Sequence, residues 1–151
     1  MMNRRRLVAM SMVATVMAVS TFGTHMVLAD EEVKIGFAIK STGSSFYKAL
    51  ATGVEKACED NNWNCVVLDA NSDLTKEQEN VETLISQEMD VILLDAIDPL
   101  GGVALVKQAV DAGIPVIEVD APIDASAEVI TTVYNNNITT AYMVGQYIPQ
   151  F

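Results

Sequence analysis

The chain has 151 residues, of which 50% are hydrophobic, with two cysteines and one histidine, and this length is typical of one domain. All three arginines lie among the first six residues, so residues 30–151 carry six lysines against 20 acidic residues, a formal net charge of −14. So acidic a surface is repelled by phosphate backbones and anionic lipids, which disfavours binding to nucleic acids or membrane surfaces.

Residues 1–29 have the layout of a secretory signal peptide. A basic start is followed by an uncharged apolar stretch over residues 7–19 and by small or slender residues before Asp30. We expect cleavage before Asp30, with a cut after Ser20 as the alternative, and export of a soluble protein to the periplasm. A retained membrane anchor needs about 20 predominantly apolar residues, and the polar run that starts at Ser20 argues against it.

Short β-branched runs alternate with longer segments of helical period from Val33 onward. The runs predict five strands: Val33–Ile39, Cys65–Asp69, Val91–Asp95, Pro115–Asp120 and Val129–Tyr134. Most of the runs are apolar at consecutive positions, which is typical of strands covered on both faces in a parallel sheet. Because parallel strands need crossover connections, we expect helices between them.

The first predicted helix runs from Ser45 to Asp60. Its apolar residues form one stripe at helical spacing: Phe46, Leu50, Val54 and Ala57. Cys58 lies near its end and Cys65 at the start of the next strand. An oxidising compartment allows a disulfide between them, and two small buried apolar side chains are the equal alternative. Zinc is disfavoured, because residues 30–151 hold no histidine and no second cysteine pair.

Start and stop signals bound the next two predicted helices. The second opens at Thr75 with Gln78 three residues on, the spacing of a capping box. The third has Asp98 as its N-cap, Pro99 at its first position and Gly113 after its end. The order β-α-β-α-β-α-β with right-handed crossovers predicts a doubly wound α/β lobe built on a parallel sheet.

The loop after the first predicted strand, residues 40–47, is a candidate ligand site. In an open α/β sheet the ligand crevice lies beyond the carboxyl ends of the strands, where the winding reverses. The loop runs into a helix N-terminus, yet its single glycine matches neither a P-loop nor a dinucleotide fingerprint. N-capping by Ser44 or Ser45 is the structural alternative. Phe46 and Tyr47 cannot both face the core, so one ring is available to stack on a ligand.

Three predicted strands end in an aspartate: Asp69, Asp95 and Asp120. A parallel sheet brings such ends to one edge, where the carboxylates accept hydrogen bonds from hydroxyl groups. Helix capping or solvation is the alternative role for each of them. An exported α/β hydrolase using Asp95 and Asp120 is the second candidate function. Nucleophilic catalysis is disfavoured, because no histidine follows residue 29 and no Gly-x-Ser-x-Gly motif occurs.

Taken in order and spacing, these segments resemble the N-terminal lobe of the ribose- and galactose-type periplasmic binding proteins. The segments are residues 33–39, Ser44–Tyr47, Leu68–Ala70, Val91–Asp95 and Ala112–Asp120. The resemblance implies the solute receptor of a sugar ABC importer, without enzyme activity or cofactor, that binds a monosaccharide or polyol between two hinged lobes. The implied partners are the membrane permease and ATPase subunits and, in some members, a chemoreceptor. A repressor core shares this architecture but needs a DNA-binding helix pair where the export signal stands.

The resemblance also implies ligand contacts by position. These are Lys40 and Ser44 as polar contacts, Phe46 and Tyr47 as the stacking pair, Asp120 as the acceptor of sugar hydroxyls, and Asn136. Ala121 stands where ribose-type members commonly carry arginine, so a ligand other than ribose is expected. Lys40 is a candidate for the compensating cation.

Length limits how far the resemblance extends. It implies a first lobe over residues 30–134, with residues 135–151 forming a hinge crossing at Asn135 and the first helix of a second lobe. The alternative for that helix is docking on the sheet. Because a second lobe of similar size is needed, we expect this sequence to be a fragment of a two-lobe protein.

Overall fold

Strands and helices alternate along residues 32–148, the part of the chain that the computed structural model describes. The elements are β1 (Lys34–Ile39), α1 (Ser45–Asn61), β2 (Asn64–Asp69), α2 (Leu74–Ser86), β3 (Val91–Asp95), α3 (Pro99–Asp111), β4 (Val116–Val119), β5 (Thr131–Val133) and α4 (Asn137–Tyr147). The predicted signal peptide lies outside the described residues. No helix within the described range has the length and apolar character needed to cross a membrane.

The strand order β2-β1-β3-β4-β5, with every neighbouring pair parallel, confirms the predicted doubly wound α/β fold. The chain passes from β1 to β2 on one side and then returns to β3 on the other side. The winding therefore reverses between β1 and β3. Ile39 pairs with Asp69 in β2 and with Asp95 in β3, so the carboxyl ends of these three strands lie level at one edge.

Apolar side chains on both faces of the sheet form the core. In β1, Ala38 belongs to a cluster with residues of α2 and α3, whereas Phe37 and Ile39 pack on the opposite side with Ala51 of α1. All three β1 residues are at most 1% exposed. The consecutive apolar residues of β1 are thus explained as predicted, because this strand is covered on both faces.

The connection from β4 to β5 contains no helix, in agreement with the predicted order, which places helices only between the first four strands. Residues 120–130 form a loop that holds its own conformation. Asp124 Oδ1 accepts hydrogen bonds from the Ser126 amide at 3.0 Å and from its hydroxyl at 2.7 Å. The side chain of Ile123, 8% exposed, is inserted in the core against Gly102 of α3. These contacts stabilise the conformation of the loop.

The inward face of α1 agrees with the predicted stripe at Leu50 and Val54, which pack against the core, but not at its other two positions. Phe46 and Ala57 are exposed, whereas the buried residues are Ala51 and Cys58, and Tyr47 packs half-buried against the core. Tyr47, Ala51 and Cys58 recur at helical spacing. Cys58 is held inward because it is joined to Cys65 at the start of β2 by a disulfide, with a Cα–Cα distance of 6.1 Å.

Reduction of the Cys58–Cys65 disulfide should lower the free energy of unfolding by about 2.5 kcal/mol, the value of the chain-entropy relation for so short a loop. Urea unfolding of the oxidised protein with and without reductant measures the difference. A Cys58→Ala/Cys65→Ala variant is the control, since reductant should not change its stability. Two thiols that titrate in the unfolded, unreduced protein would contradict the bridge.

Helix caps follow the sequence signals in α3 but not in α2. Asp98 caps α3, with Oδ2 accepting from the Gly101 amide, and Gly113 adopts φ +82° after its end. The predicted capping box at Thr75 is wrong: Asp73 is the N-cap of α2, and its Oδ1 accepts from the amides of Thr75 at 2.8 Å and Lys76 at 3.0 Å. A short carboxylate that reaches two free amides is a stronger cap than a hydroxyl that reaches one.

Helix α4 contains no buried residue. Its apolar side chains are exposed, including Ile138 at 86% and Tyr142 at 66%. The alternative in which this helix docks on the sheet is therefore wrong.

Candidate functional site

Three charged side chains meet at the carboxyl edge of the sheet. Lys40 follows β1, Asp95 ends β3 and Asp120 follows β4, and β3 lies between the other two strands. Lys40 Nζ lies 3.0 Å from Asp95 Oδ1 and 3.1 Å from Asp120 Oδ2. We call these residues the Lys40 cluster. It is located beside the β1–β3 reversal, where ligands bind in open α/β sheets.

The three members of the Lys40 cluster differ in exposure. The Asp95 side chain is fully buried, whereas those of Lys40 and Asp120 are each 18% exposed. Lys40 Nζ also lies 4.6 Å from the centroid of the Tyr47 ring, within the range of a cation–π contact. A molecule at this edge would therefore meet an ammonium donor and a carboxylate acceptor side by side, with Asp95 behind them.

Burial is the main influence on the charge of Asp95. It raises the pKa of this carboxyl to about 6, although the ion pair with Lys40 opposes the change. Burial also lowers the pKa of Lys40, but contacts with Tyr47, Asp95 and Asp120 outweigh it and raise that pKa above its ordinary value. Lys40 therefore remains charged, and Asp95 is the member of the pair whose charge changes near pH 6.

The two adjacent aromatic residues have different surroundings. Phe46 is 47% exposed, whereas Tyr47 packs against the core cluster of Phe37 and Ile39. Their ring centroids lie 5.1 Å apart in an edge-to-face arrangement with an interplanar angle of 81°. The Phe46 ring is therefore accessible to solvent. The Tyr47 ring lies between the core and the Phe46 ring and also contacts Lys40.

The remaining polar residues of the first loop hold the loop itself. Ser44 is the N-cap of α1, with Oγ accepting from the Tyr47 amide at 3.4 Å, and its role as a ligand contact stays a prediction. Asp69 accepts hydrogen bonds from the amide and hydroxyl of Thr42 and from the amide of Asn71. Burial raises the pKa of Asp69, but these hydrogen bonds outweigh it and leave that pKa lowered. Of the three strand-end aspartates, two contact Lys40 and Asp69 anchors the loop.

Asn136 follows β5 and caps α4. Its Oδ1 accepts a hydrogen bond from the Thr139 amide at 2.9 Å. The contact defines the start of α4, and a role for Asn136 in ligand binding stays a prediction.

The sequence did not indicate one pairing and one buried acid near this edge. Asp95 is among the predicted strand-end acids, but its ion pair with Lys40 is not predicted, and Glu118 is not a predicted site residue. Glu118 of β4 is 3% exposed and accepts hydrogen bonds from the Ile123 amide and the Thr132 hydroxyl. The available signal was an acidic residue inside the apolar run of β4, because such a residue must be hydrogen-bonded when buried.

The amino-acid sequence is similar to those of several known proteins. A ribose import binding protein of Bacillus subtilis is 27% identical over 118 residues, which cover 78% of this chain and 38% of the relative. A D-apiose import binding protein of Actinobacillus succinogenes is 27% identical over 138 residues, 91% of this chain and 43% of the relative. The chain therefore spans less than half the length of these relatives.

Solved structures and a family match agree with these relatives. The structure of a periplasmic ribose ABC transporter protein from Conexibacter woesei superimposes with a TM-score of 0.75 at 17% identity, over 80% of this chain and 40% of that one. It shows the likeness of fold. Residues 35–151 match the family described as periplasmic binding protein domain. Because this match covers most of the sequence, the chain belongs to the periplasmic binding protein domain family.

Proposed function

We propose that this chain forms one wall of the binding cleft in the solute-binding component of a sugar ABC importer. The ligand in this proposal is a monosaccharide or a related polyol. The observation that carries it is the Lys40 cluster beside an exposed aromatic ring, at the edge where this fold class binds ligands. The relatives that import ribose and D-apiose support the same ligand class.

The chemistry of the edge suits hydroxyl groups. A hydroxyl both donates and accepts, so one can donate to the Asp120 carboxylate while a neighbouring one accepts from Lys40. Phe46 offers a flat apolar surface for the C–H face of a sugar ring. In this proposal Lys40 replaces the cationic side chain that ribose-type members commonly carry at the position of Ala121. Because the cation then comes from a different position in the site, a ligand other than ribose is favoured.

Binding accounts for this edge better than hydrolysis does. A hydrolase that used Asp95 and Asp120 would need both carboxylates in contact with substrate or water. Asp95 is fully buried, and Lys40 Nζ lies within 3.1 Å of both acids, in the space between them. We therefore propose that the protein is a binding protein and that Asp95 holds Lys40 in place through their ion pair.

The proposal also includes a second lobe, a location in the periplasm and transporter partners. The second wall of the cleft would come from a second lobe, and α4, with its exposed apolar residues, would lie at the start of that lobe. Export by the predicted signal peptide would place the protein in the periplasm. There it would deliver the sugar to the permease and ATPase subunits of the importer, with a chemoreceptor as a further partner.

This chain should bind D-ribose, D-apiose, D-galactose or glycerol with dissociation constants no better than about 1 mM, near −4 kcal/mol. Each hydrogen bond to a sugar gains only about 0.5 to 1.5 kcal/mol net in water, and one wall leaves most of the ligand solvated. A titration of the full chain followed by NMR measures the affinity, and the amides of Lys40 and Phe46 should shift. Micromolar binding would contradict the need for a second wall.

Asp120→Ala should weaken that binding about tenfold, because it removes a charged acceptor. Asp111→Ala is the matched control: Asp111 also pairs with a lysine, Lys107 at 2.7 Å, but on the exposed surface of α3. It should leave the affinity unchanged. If no sugar shifts the Lys40 and Phe46 amides, or if both variants behave alike, the site is not at this edge.

A further inference from the structure

Glu118 is a buried acid within β4. It is 3% exposed, between Ile117 and Val119 of the same strand, and its backbone pairs with Leu94 of β3 and Thr132 of β5. A carboxylate in such a place is costly unless hydrogen bonds satisfy it. Both of its oxygens have a donor: Oε1 accepts from the Ile123 amide and Oε2 from the Thr132 hydroxyl.

These two hydrogen bonds close the turn that carries Asp120. The chain leaves β4 at Val119, turns at Asp120 and returns so that the amide of Ile123 meets the side chain of Glu118. Within the turn, the Asp120 amide donates to Val133 O at 2.9 Å and the Ala121 amide donates to Val119 O at 3.0 Å. Glu118 thus joins the far end of the turn to the neighbouring strand β5.

The backbone of Asp120 needs such support. Its φ is +69°, in the left-handed region that is uncommon for residues other than glycine. A conformation of this kind costs on the order of 1 kcal/mol and persists where the surroundings determine it. The conformation directs the carboxylate towards Lys40 Nζ, 3.1 Å away.

We propose that Glu118 is a positioning residue, which holds the turn that directs Asp120 at Lys40 and at a ligand on the sheet edge. The ligand part rests on the proposed function, whereas the effect on the turn does not. Apolar side chains at Ile117 and Val119 already suit a buried strand, so packing alone does not require an acid between them. Glu118 supplies what packing cannot, an acceptor for the Ile123 amide.

Glu77 of α2 provides a matched comparison. It is 2% exposed, and its Oε1 accepts from the Ile97 amide at 2.7 Å, so it anchors the loop between β3 and α3 in the same manner. That loop does not contain Asp120. Removal of either glutamate should therefore cost stability, but only removal of Glu118 should loosen the Asp120 turn.

Amide hydrogen exchange of the full chain, followed by NMR, tests the positioning. In Glu118→Ala we expect the Asp120 and Ala121 amides to exchange about tenfold faster relative to the amides of β1, because local opening becomes easier. Glu118→Gln keeps an acceptor for the Ile123 amide and should restore most of the protection. Glu77→Ala should leave the ratio unchanged. If Glu118→Ala does not fold, Thr132→Val removes one of the two hydrogen bonds and should give about a threefold change.

A titration of the same variants with D-ribose, D-apiose, D-galactose and glycerol separates the two proposals. Faster exchange at Asp120 together with weaker binding in Glu118→Ala, and recovery of both in Glu118→Gln, would support the positioning role. Faster exchange in a protein whose wild type binds no sugar would overturn the proposed function and leave the role of Glu118 in the turn standing. Unchanged protection in Glu118→Ala or Thr132→Val, or equal loosening in Glu77→Ala, would overturn the inference.

Discussion

Lys40→Met should lower the free energy of unfolding by about 3 kcal/mol at pH 8. The variant keeps the apolar stem but removes the ammonium that lies 3.0 Å from the fully buried Asp95, and loss of one partner from a buried ion pair typically costs about 3 to 5 kcal/mol. Without Lys40 the pKa of Asp95 should rise above its wild-type value of about 6, because contacts with Lys40 lower it in the wild type. Protonation of Asp95 then removes the unpaired charge, so the loss should shrink as the pH falls from 8 and be small at pH 5. Urea unfolding of the full chain at pH 8 and pH 5 measures both effects.

Two further variants define the cause of this loss. Lys40→Met/Asp95→Asn should recover most of the stability at pH 8, because a neutral amide needs no cation beside it. Lys56→Met is the matched control: Lys56 pairs with Asp60 at 3.0 Å, but the two side chains are 67% and 60% exposed, and exposed pairs contribute about 0 to 1 kcal/mol. Equal losses for Lys40→Met and Lys56→Met would show that the buried pair does not stabilise the fold.

Asp95→Asn should make the stability of the protein less dependent on pH, because it removes a carboxyl whose pKa is raised in the folded protein. The pKa of about 6 in the folded protein exceeds the ordinary 3.8, so the folded state holds this proton more tightly than the unfolded state. The stability that this provides is fully present below about pH 4 and is lost as the pH rises through 6. Each tenfold difference in proton affinity is worth about 1.4 kcal/mol, which gives a loss of about 3 kcal/mol.

Comparison with the wild type measures this loss. From pH 3 to pH 7.5 the wild type should lose about 3 kcal/mol of unfolding free energy relative to Asp95→Asn, which has no proton to release at this position. Asp111→Asn, a change at an exposed acid of α3, should give a curve parallel to that of the wild type. If the Asp95→Asn curve is also parallel, Asp95 titrates alike in the folded and unfolded states.

Local signals in the sequence determined the elements of this fold. The apolar run Val91–Asp95 is a strand over the same residues, and α3 begins at Pro99 after Asp98 as predicted. Such signals act over a few residues, through cap hydrogen bonds and the fixed φ of proline, and so they are legible without the rest of the chain. Where two local caps compete, as Asp73 and Thr75 do at α2, the spacing of residues alone did not show which one is used.

The sequence by itself also determined which strand ends carry acids and that Lys40 and the aromatic pair follow the first strand. Only the tertiary structure decided which of these groups meet. Asp69 and Asp95 both pair in register with Ile39, yet Asp69 anchors the first loop and Asp95 binds Lys40. Lys40 and Asp120 are 80 residues apart, and their contact depends on the strand order and on the left-handed turn at Asp120. Long-range pairing and burial determine such contacts, and residue spacing encodes neither.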